Sequence, residues 1–186
     1  MRVWLASASQ RRCQWLNERL NHVECHALEG IDENIRQSTV GETVREICRI
    51  KANAVPKNHG YDLVIVSDTL VEDPDDEAHA LGKPMNKEEA LRMLLRIRGS
   101  THKVWTATAA LENGNWKFSL EHAVVKIDYF SDDVLVELIE TGSWKGKAGG
   151  YDLAGQMGKY AYLVKGSESV VLGLSIEPFK HLLRKT

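Results

Sequence analysis

The chain has 186 residues, 43% of them hydrophobic and 27% charged, with a formal net charge of −2. That length suits a single domain spanning 1–186, or one domain with two lobes. The charge balance excludes a global nucleic-acid-binding face and leaves room only for local basic sites, and no apolar run is long enough to span a membrane.

The order of elements begins with a buried strand, Val3–Ala6, and a helix, Gln10–Leu20, with Cys13, Leu16 and Leu20 on one face. His22–Leu28 alternates as a half-buried strand, and Glu29–Ser38 is a polar loop. Thr39-Val40-Gly41-Glu42 is a capping box opening a helix that runs to about Val55. Leu63–Ser67 is an apolar strand ending in Asp68. Glu72–Glu77 reads as an acidic loop around Pro74. Asn86 caps a helix through Arg98, closed by Gly99. Two long strands, His102–Leu111 and Trp116–Phe130, flank a turn at Glu112-Asn113-Gly114-Asn115. Ser131 caps a helix ended by Gly142, and Ser143–Gly158 is glycine-rich and irregular. A strand at Tyr160–Val164 and a last helix at Ser175–Arg184, with Pro178 in its first turn, complete the chain. Intermixed strands and helices predict an α/β fold with a mixed sheet. Cys13, Cys25 and Cys48 are widely spaced and form no Cys-x-x-Cys pair, which predicts neither zinc nor a disulfide framework and fits a reducing cytosol. The N-terminus lacks a signal-peptide layout.

Several residues break this pattern. Ser7, Ser9, Arg11 and Arg12 gather where a strand gives way to a helix N-terminus, whose free N–H groups and dipole suit a polyphosphate. The other reading is that Ser9 only caps the helix and the arginines are solvated. Lys51 lies in the middle of the apolar arc formed by Val40, Val44, Ile47, Cys48, Ala54 and Val55 at ~100° per residue. It either snorkels at the sheet edge or turns its amine to an anion in a cleft. Asp68, beyond the carboxyl end of a strand, is a general base, a magnesium ligand or a plain cap. Leu81-Gly82-Lys83-Pro84 brings Lys83 to a turn, Glu33 adds a carboxylate beside Asp32, and Lys147 sits in a basic, glycine-rich loop without Walker A spacing. No metal-binding spacing occurs among the seven histidines.

Taken in order, these segments resemble the Maf family of nucleoside triphosphate pyrophosphatases. Leu5-Ala6-Ser7-Ala8-Ser9-Gln10-Arg11-Arg12 is similar to the family's opening motif, with Gln10 where proline is usual. Ile31-Asp32-Glu33, Lys51-Ala52, Ser67-Asp68-Thr69, Leu81-Gly82-Lys83-Pro84, Gly99…His102…Val104…Thr106, Gly146-Lys147-Ala148-Gly149-Gly150-Tyr151 and Gly166-Ser167…Val170-Val171-Leu172-Gly173-Leu174 follow.

The resemblance implies a twisted mixed sheet with two lobes around a central cleft, like the inosine-triphosphatase superfamily. It also implies a homodimer, a divalent cation (magnesium or manganese) and cleavage of a nucleoside triphosphate to monophosphate and pyrophosphate. Asp68 matches the family's proton acceptor, and Arg11, Thr69 and Ala154 match positions tied to base choice. Gly150-Tyr151-Asp152-Leu153-Ala154-Gly155 departs from the family's Gly-Tyr-Gly-Ile-Gln-Gly, because Ala154 replaces the glutamine of dTTP/UTP-directed members; Gln156 lies two residues on.

The expected site therefore has Asp68, Lys51 and Lys83 as catalytic groups. Ser7, Ser9, Arg11, Arg12, Thr69, Lys147, Ala154 and Gln156 bind substrate, and Glu33 and Asp68 hold metal. The expected setting is cytoplasmic, acting on free nucleotides. A nucleotide-binding regulator without turnover and a phosphatase releasing orthophosphate are the competing classes.

Overall fold

The apolar residues after Arg2 form β1 (Val3–Leu5), all three buried. The computed structural model describes residues 1–153 and 155–183. β1 lies parallel to both β2 (Val23–Cys25) and β3 (Leu63–Asp73). β3 then pairs antiparallel with β4 (Asp76–Leu81) and with β5 (Thr101–Glu112). β6 (Asn115–Ile127) pairs antiparallel with β5, and β7 (Ala161–Lys165) with β6. The seven-stranded mixed sheet has the order β2-β1-β3-β5-β6-β7, with β4 added to β3. Its helices are α1 (Gln10–Asn17), α2 (Val40–Asn53), α3 (Lys87–Ile97), α4 (Asp132–Glu140) and the short α5 (Glu168–Leu172). The expected mixed α/β architecture is present.

Period-2 alternation distributes β1 and β3 between two cores. Val3, Leu5, Leu63 and Ile65 pack with Leu16 and Phe179 on one face. Trp4, Val64 and Val66 pack on the other beneath Val44, Cys48 and Ala52 of α2. A third cluster joins Leu94 and Ile97 of α3 and Leu135 and Leu138 of α4 to Val71, Val104 and Val125 on the far stretches of β3, β5 and β6. The three long strands thus run through both lobes, and the cleft opens where β3 passes from one to the other.

One edge of β3 creates that opening. It pairs with β1 through Ile65 and with β4 from Val71 onward, so residues 66–70 have no strand neighbour on that edge among the described residues. The opposite edge is paired with β5 without interruption from Leu63 to Val71. Asp68 is therefore inside a continuous strand, opposite Ala107, and not at its end as the sequence suggested. The strand that ends is its neighbour β1, and the cleft lies beyond the carboxyl end of β1.

Three further expectations are corrected. Glu72–Glu77 is a tight β3–β4 hairpin with Pro74 and Asp75 at its tip. Its acids are neutralised from neighbouring elements: Trp105 Nε1 donates to Glu72 at 2.6 Å, Lys103 lies 3.0 Å from Glu72, and Arg96 grips Asp73 through two hydrogen bonds of 2.9 and 2.7 Å. The Arg96 fork holds the Asp73 carboxyl below the usual carboxylate range. The terminal helix is a 3-10 turn, Glu177–Leu182, with Arg184 outside the described residues.

The third correction concerns the cysteines. Cys13 and Cys25 form a disulfide, their Cα atoms 6.0 Å apart, leaving Cys48 as a buried free thiol. The spacing of these cysteines hides the contact, because the β1–α1–β2 connection folds the first turns of α1 back over β2. α1 has Leu16 as its only fully buried residue, so the bridge is a principal tie between this helix and the sheet. Opening it, by reduction or by Cys13→Ser with Cys25→Ser, is expected to cost about 2–4 kcal/mol. That lowers Tm by roughly 5–12 °C for a chain of this size; calorimetry with and without reductant reads the shift.

Candidate active site

The site begins at the N-terminus of α1. Ser9 is extended and caps the helix, accepting from the Arg12 backbone N–H, and the Ser9 N–H in turn donates to Ser7 Oγ at 3.2 Å. Arg11 and Arg12 then leave the first turn in different directions. Arg12 turns inward to the unpaired edge of β3: it donates to the Ser67 carbonyl at 3.0 Å and to Thr69 Oγ1 at 2.8 Å. Its Nε is buried and has no partner among the described residues, and burial pulls the guanidinium below its ordinary value while leaving it charged at any physiological pH. Gly173 seals this arginine from behind, since a Cβ there would stand 2.5 Å from Arg12 Nε. Thr69 Oγ1 also meets Thr106 Oγ1 at 2.8 Å.

α2 supplies the central cation. Its buried face is Val40, Val44, Ile47, Cys48 and Ala52, and Lys51 extends from the same side over β3. The Lys51 Nζ lies 2.7 Å from Asp68 Oδ1 and 2.8 Å from Glu33 Oε1. Lys51 and Asp68 side chains are 11% and 13% exposed, Glu33 50%. The core-facing lysine is thus paired with an acid on the sheet and an acid in the polar loop, which offsets the cost of burying it. Burial and the Asp68 charge push the neighbouring Cys48 thiol up to about 12, so it stays an inert core group.

The opposite wall comes from the glycine-rich loop. A 3-10 turn at Ala148–Gly150 precedes Tyr151 and Asp152. Asp152 Oδ1 accepts from Arg11 Nη1 at 2.9 Å, and its other oxygen lies 3.5 Å from Lys147 Nζ. Exposed Lys83 also borders the cleft. Together these walls enclose a cavity of about 600 Å³, room for a nucleotide. Of the sequence-predicted residues, Ser7, Ser9, Arg11, Arg12, Glu33, Lys51, Asp68, Thr69, Lys83 and Lys147 line one cavity. Gln156 stands exposed at the start of a second 3-10 turn, away from the cavity lining, and Ala154 lies outside the described residues.

Tyr151 and Asp152 also line the cavity; the sequence places both in motif stretches but gives neither a role. Buried Tyr151 is anchored by His102, whose Nε2 lies 2.8 Å from the tyrosine hydroxyl. Burial pushes the His102 imidazole down to about 4 from an ordinary value of 6.5. The sign follows from proton counts: below pH 6.5 the unfolded chain binds a proton here that the folded chain refuses until about pH 4, so stability falls as pH drops through that window. His102 is expected to account for about 3 kcal/mol of that loss. Denaturant titrations at pH 7.5 and 4.5 on wild type and His102→Gln check it, the variant showing the smaller difference.

Fold and site define an α/β protein with a hydroxyl-lined, cation-rich cleft beyond a sheet edge, of the size and charge that suit a nucleotide polyphosphate. Comparison with known proteins places it further: the Maf-like protein family matches residues 2–186. A dTTP/UTP pyrophosphatase of Desulforamulus reducens is 32% identical over 185 residues, covering 98% of this chain and 95% of the relative. Proteins of the same name from Pyrococcus horikoshii and Pyrococcus abyssi are 32% and 30% identical, covering 95% and 98% of this chain and 92% and 95% of their own lengths. The chain belongs to the Maf family.

Proposed function

We propose that this chain hydrolyses nucleoside triphosphates to the monophosphate and pyrophosphate, with dTTP or UTP as substrate as in its named relatives. The observation that carries the reading is the Lys51 ammonium held between Asp68 and Glu33, next to the capped N-terminus of α1. A base, a cation and an anion-binding helix end converge there on one cavity. Asp68 accepts a proton from water, the water oxygen bonds to the α-phosphorus, and the bond from that phosphorus to the bridging oxygen breaks as pyrophosphate leaves. Lys51 orients the Asp68 carboxylate, and Ser7, Ser9, Lys83 and the α1 N–H groups bind phosphate oxygens. Arg12, tied to Ser67 and Thr69, contributes its charge from behind. Donors fixed in advance around developing charge are commonly the largest catalytic contribution.

Asp68 and Glu33 suit a hard divalent cation, because magnesium is typically held by one or two carboxylates together with substrate phosphates. Lys51 Nζ engages one oxygen of each, Asp68 Oδ1 and Glu33 Oε1, and a magnesium or manganese ion held by these carboxylates would neutralise phosphate charge.

The reading includes a cytoplasmic homodimer acting on free nucleotides rather than polymers or membranes. The slight net charge of −2 fits free nucleotides better than a polyanionic polymer, and no helix of the described residues is long and apolar enough to cross a membrane. In a reducing compartment the thiol pool would open the Cys13–Cys25 bridge, so assays belong in both redox states.

Pyrophosphate release with magnesium or manganese, over a panel of canonical and modified triphosphates, tests the proposal. Release from dTTP or UTP is the expected result. Binding without release across the whole panel would establish a regulatory binder instead, and orthophosphate as the product would establish a phosphatase.

A further inference from the structure

Resting on that hydrolytic reading, we propose that Thr106 is a positioning residue: its buried hydroxyl completes a one-way hydrogen-bond chain that aims the Arg12 guanidinium at the phosphate side of the cleft. Thr106 lies on β5 opposite Thr69 of β3 and is fully buried, behind a cavity wall that includes Arg12 and Thr69. Arg12 Nη2 donates to Thr69 Oγ1 at 2.8 Å. Thr69 Oγ1 and Thr106 Oγ1 are 2.8 Å apart, and Thr106 Oγ1 donates to the Val170 carbonyl at 2.8 Å. The two ends fix the direction. A guanidinium only donates and a backbone carbonyl only accepts, so the single Thr106 proton goes to Val170 and the single Thr69 proton goes to Thr106. Each hydroxyl accepts from the group before it, and bonds aligned in one sense strengthen one another.

The chain closes on itself. The Val170 carbonyl also accepts from the Gly173 N–H at 3.1 Å, where Gly173 turns left-handed at φ 111° to end α5. A Cβ on Gly173 would stand 2.5 Å from Arg12 Nε, 2.7 Å from Arg12 Nη2 and 2.9 Å from Thr69 Oγ1. Thr106 therefore holds both the hydroxyl that Arg12 meets in front and the turn that backs it. The other side of the fork, Nη1, rests on the Ser67 carbonyl at 3.0 Å and on Ser7 Oγ at 3.4 Å. Ser7 belongs to the phosphate-binding set, so the angle of the fork decides how its charge meets the triphosphate. Valine at position 106 would fill the same space but give the Thr69 proton no acceptor there. Thr69 would then rotate, and the guanidinium would keep its place while losing one of its two anchors.

The test is a double-mutant cycle of Thr106→Val with Arg12→Met, read by kcat/KM for UTP and by calorimetric Kd for α,β-methylene-UTP, which cannot be cleaved between the α- and β-phosphorus. Thr106→Val alone is expected to worsen both quantities roughly 10-fold. In the Arg12→Met background it is expected to cost less than about 2-fold, because the group it positions is gone. Thr106→Ser, which keeps the hydroxyl, is expected to stay within about 3-fold of wild type. Equal losses in both backgrounds mark a merely structural role and overturn the proposal. So does an unimpaired Thr106→Val, or a Thr106→Ser as impaired as the valine variant, which would assign the effect to packing. Thermal melts confirm that each variant is folded, and Thr106→Ala replaces Thr106→Val in the cycle if the valine variant is not. The Kd arm is independent of turnover: the expected coupling in Kd without pyrophosphate release by the wild type refutes the hydrolytic reading and leaves the role of Thr106 standing.

Discussion

Asp68→Asn is expected to lower kcat by about 10²–10⁴-fold while the protein stays folded and still binds nucleotide. Asparagine keeps the shape and an oxygen for Lys51, which lies 2.7 Å from Asp68 Oδ1, but it cannot take a proton from water. The position is also buried in the middle of β3, paired with Ala107 of β5, so the backbone has little freedom to bring another acid into place. Glu33, the nearest candidate, is half exposed on a loop and contacts Lys51 rather than the strand. Single-turnover measurement of pyrophosphate release, together with a nucleotide Kd, separates lost chemistry from lost binding. Near-normal turnover in a folded Asp68→Asn protein contradicts the assignment of Asp68 as the base.

Lys51→Met is expected to lose about 10²–10³-fold in kcat/KM and to lower Tm as well. Methionine fills the apolar stem but leaves Asp68 and Glu33 without the ammonium they share. Removing one member of a nearly buried ion pair leaves its partner's charge uncompensated, which is strongly destabilising. Because Lys51 and Asp68 act as a unit, their losses should not add. The double variant Asp68→Asn/Lys51→Met is expected to be about as slow as the slower single variant, and more stable than Lys51→Met alone, since one of the two stranded charges is gone. A steady-state and thermal-melt cycle over the four proteins checks both expectations. Fully multiplicative losses in kcat/KM would separate the two roles.

Local chemistry made most of this site legible before any coordinates. Lys51 is conspicuous because its place on the helical arc conflicts with its charge, and the structure resolves the conflict with two carboxylates. Ser9 announces a helix start, and the cap is there. What stayed hidden depends on contacts between distant segments. Asp68 looked like a strand end because the apolar run stops at Ser67, whereas pairing with β5 carries β3 on to Val71 and pairing with β4 carries it to Asp73. The acids of the hairpin looked like a loop because their partners Lys103, Trp105 and Arg96 lie on other elements. The Cys13–Cys25 bridge and the Arg11–Asp152 pair leave no local signature: one needs the crossover from β1 to β2, the other the approach of two lobes.

Turnover of UTP in ¹⁸O-labelled water, with mass analysis of both products, identifies the phosphorus that water attacks. Attack on the α-phosphorus predicts equal amounts of UMP and pyrophosphate, with the label in UMP and none in pyrophosphate. Label in pyrophosphate, or orthophosphate as the first product, would contradict the account.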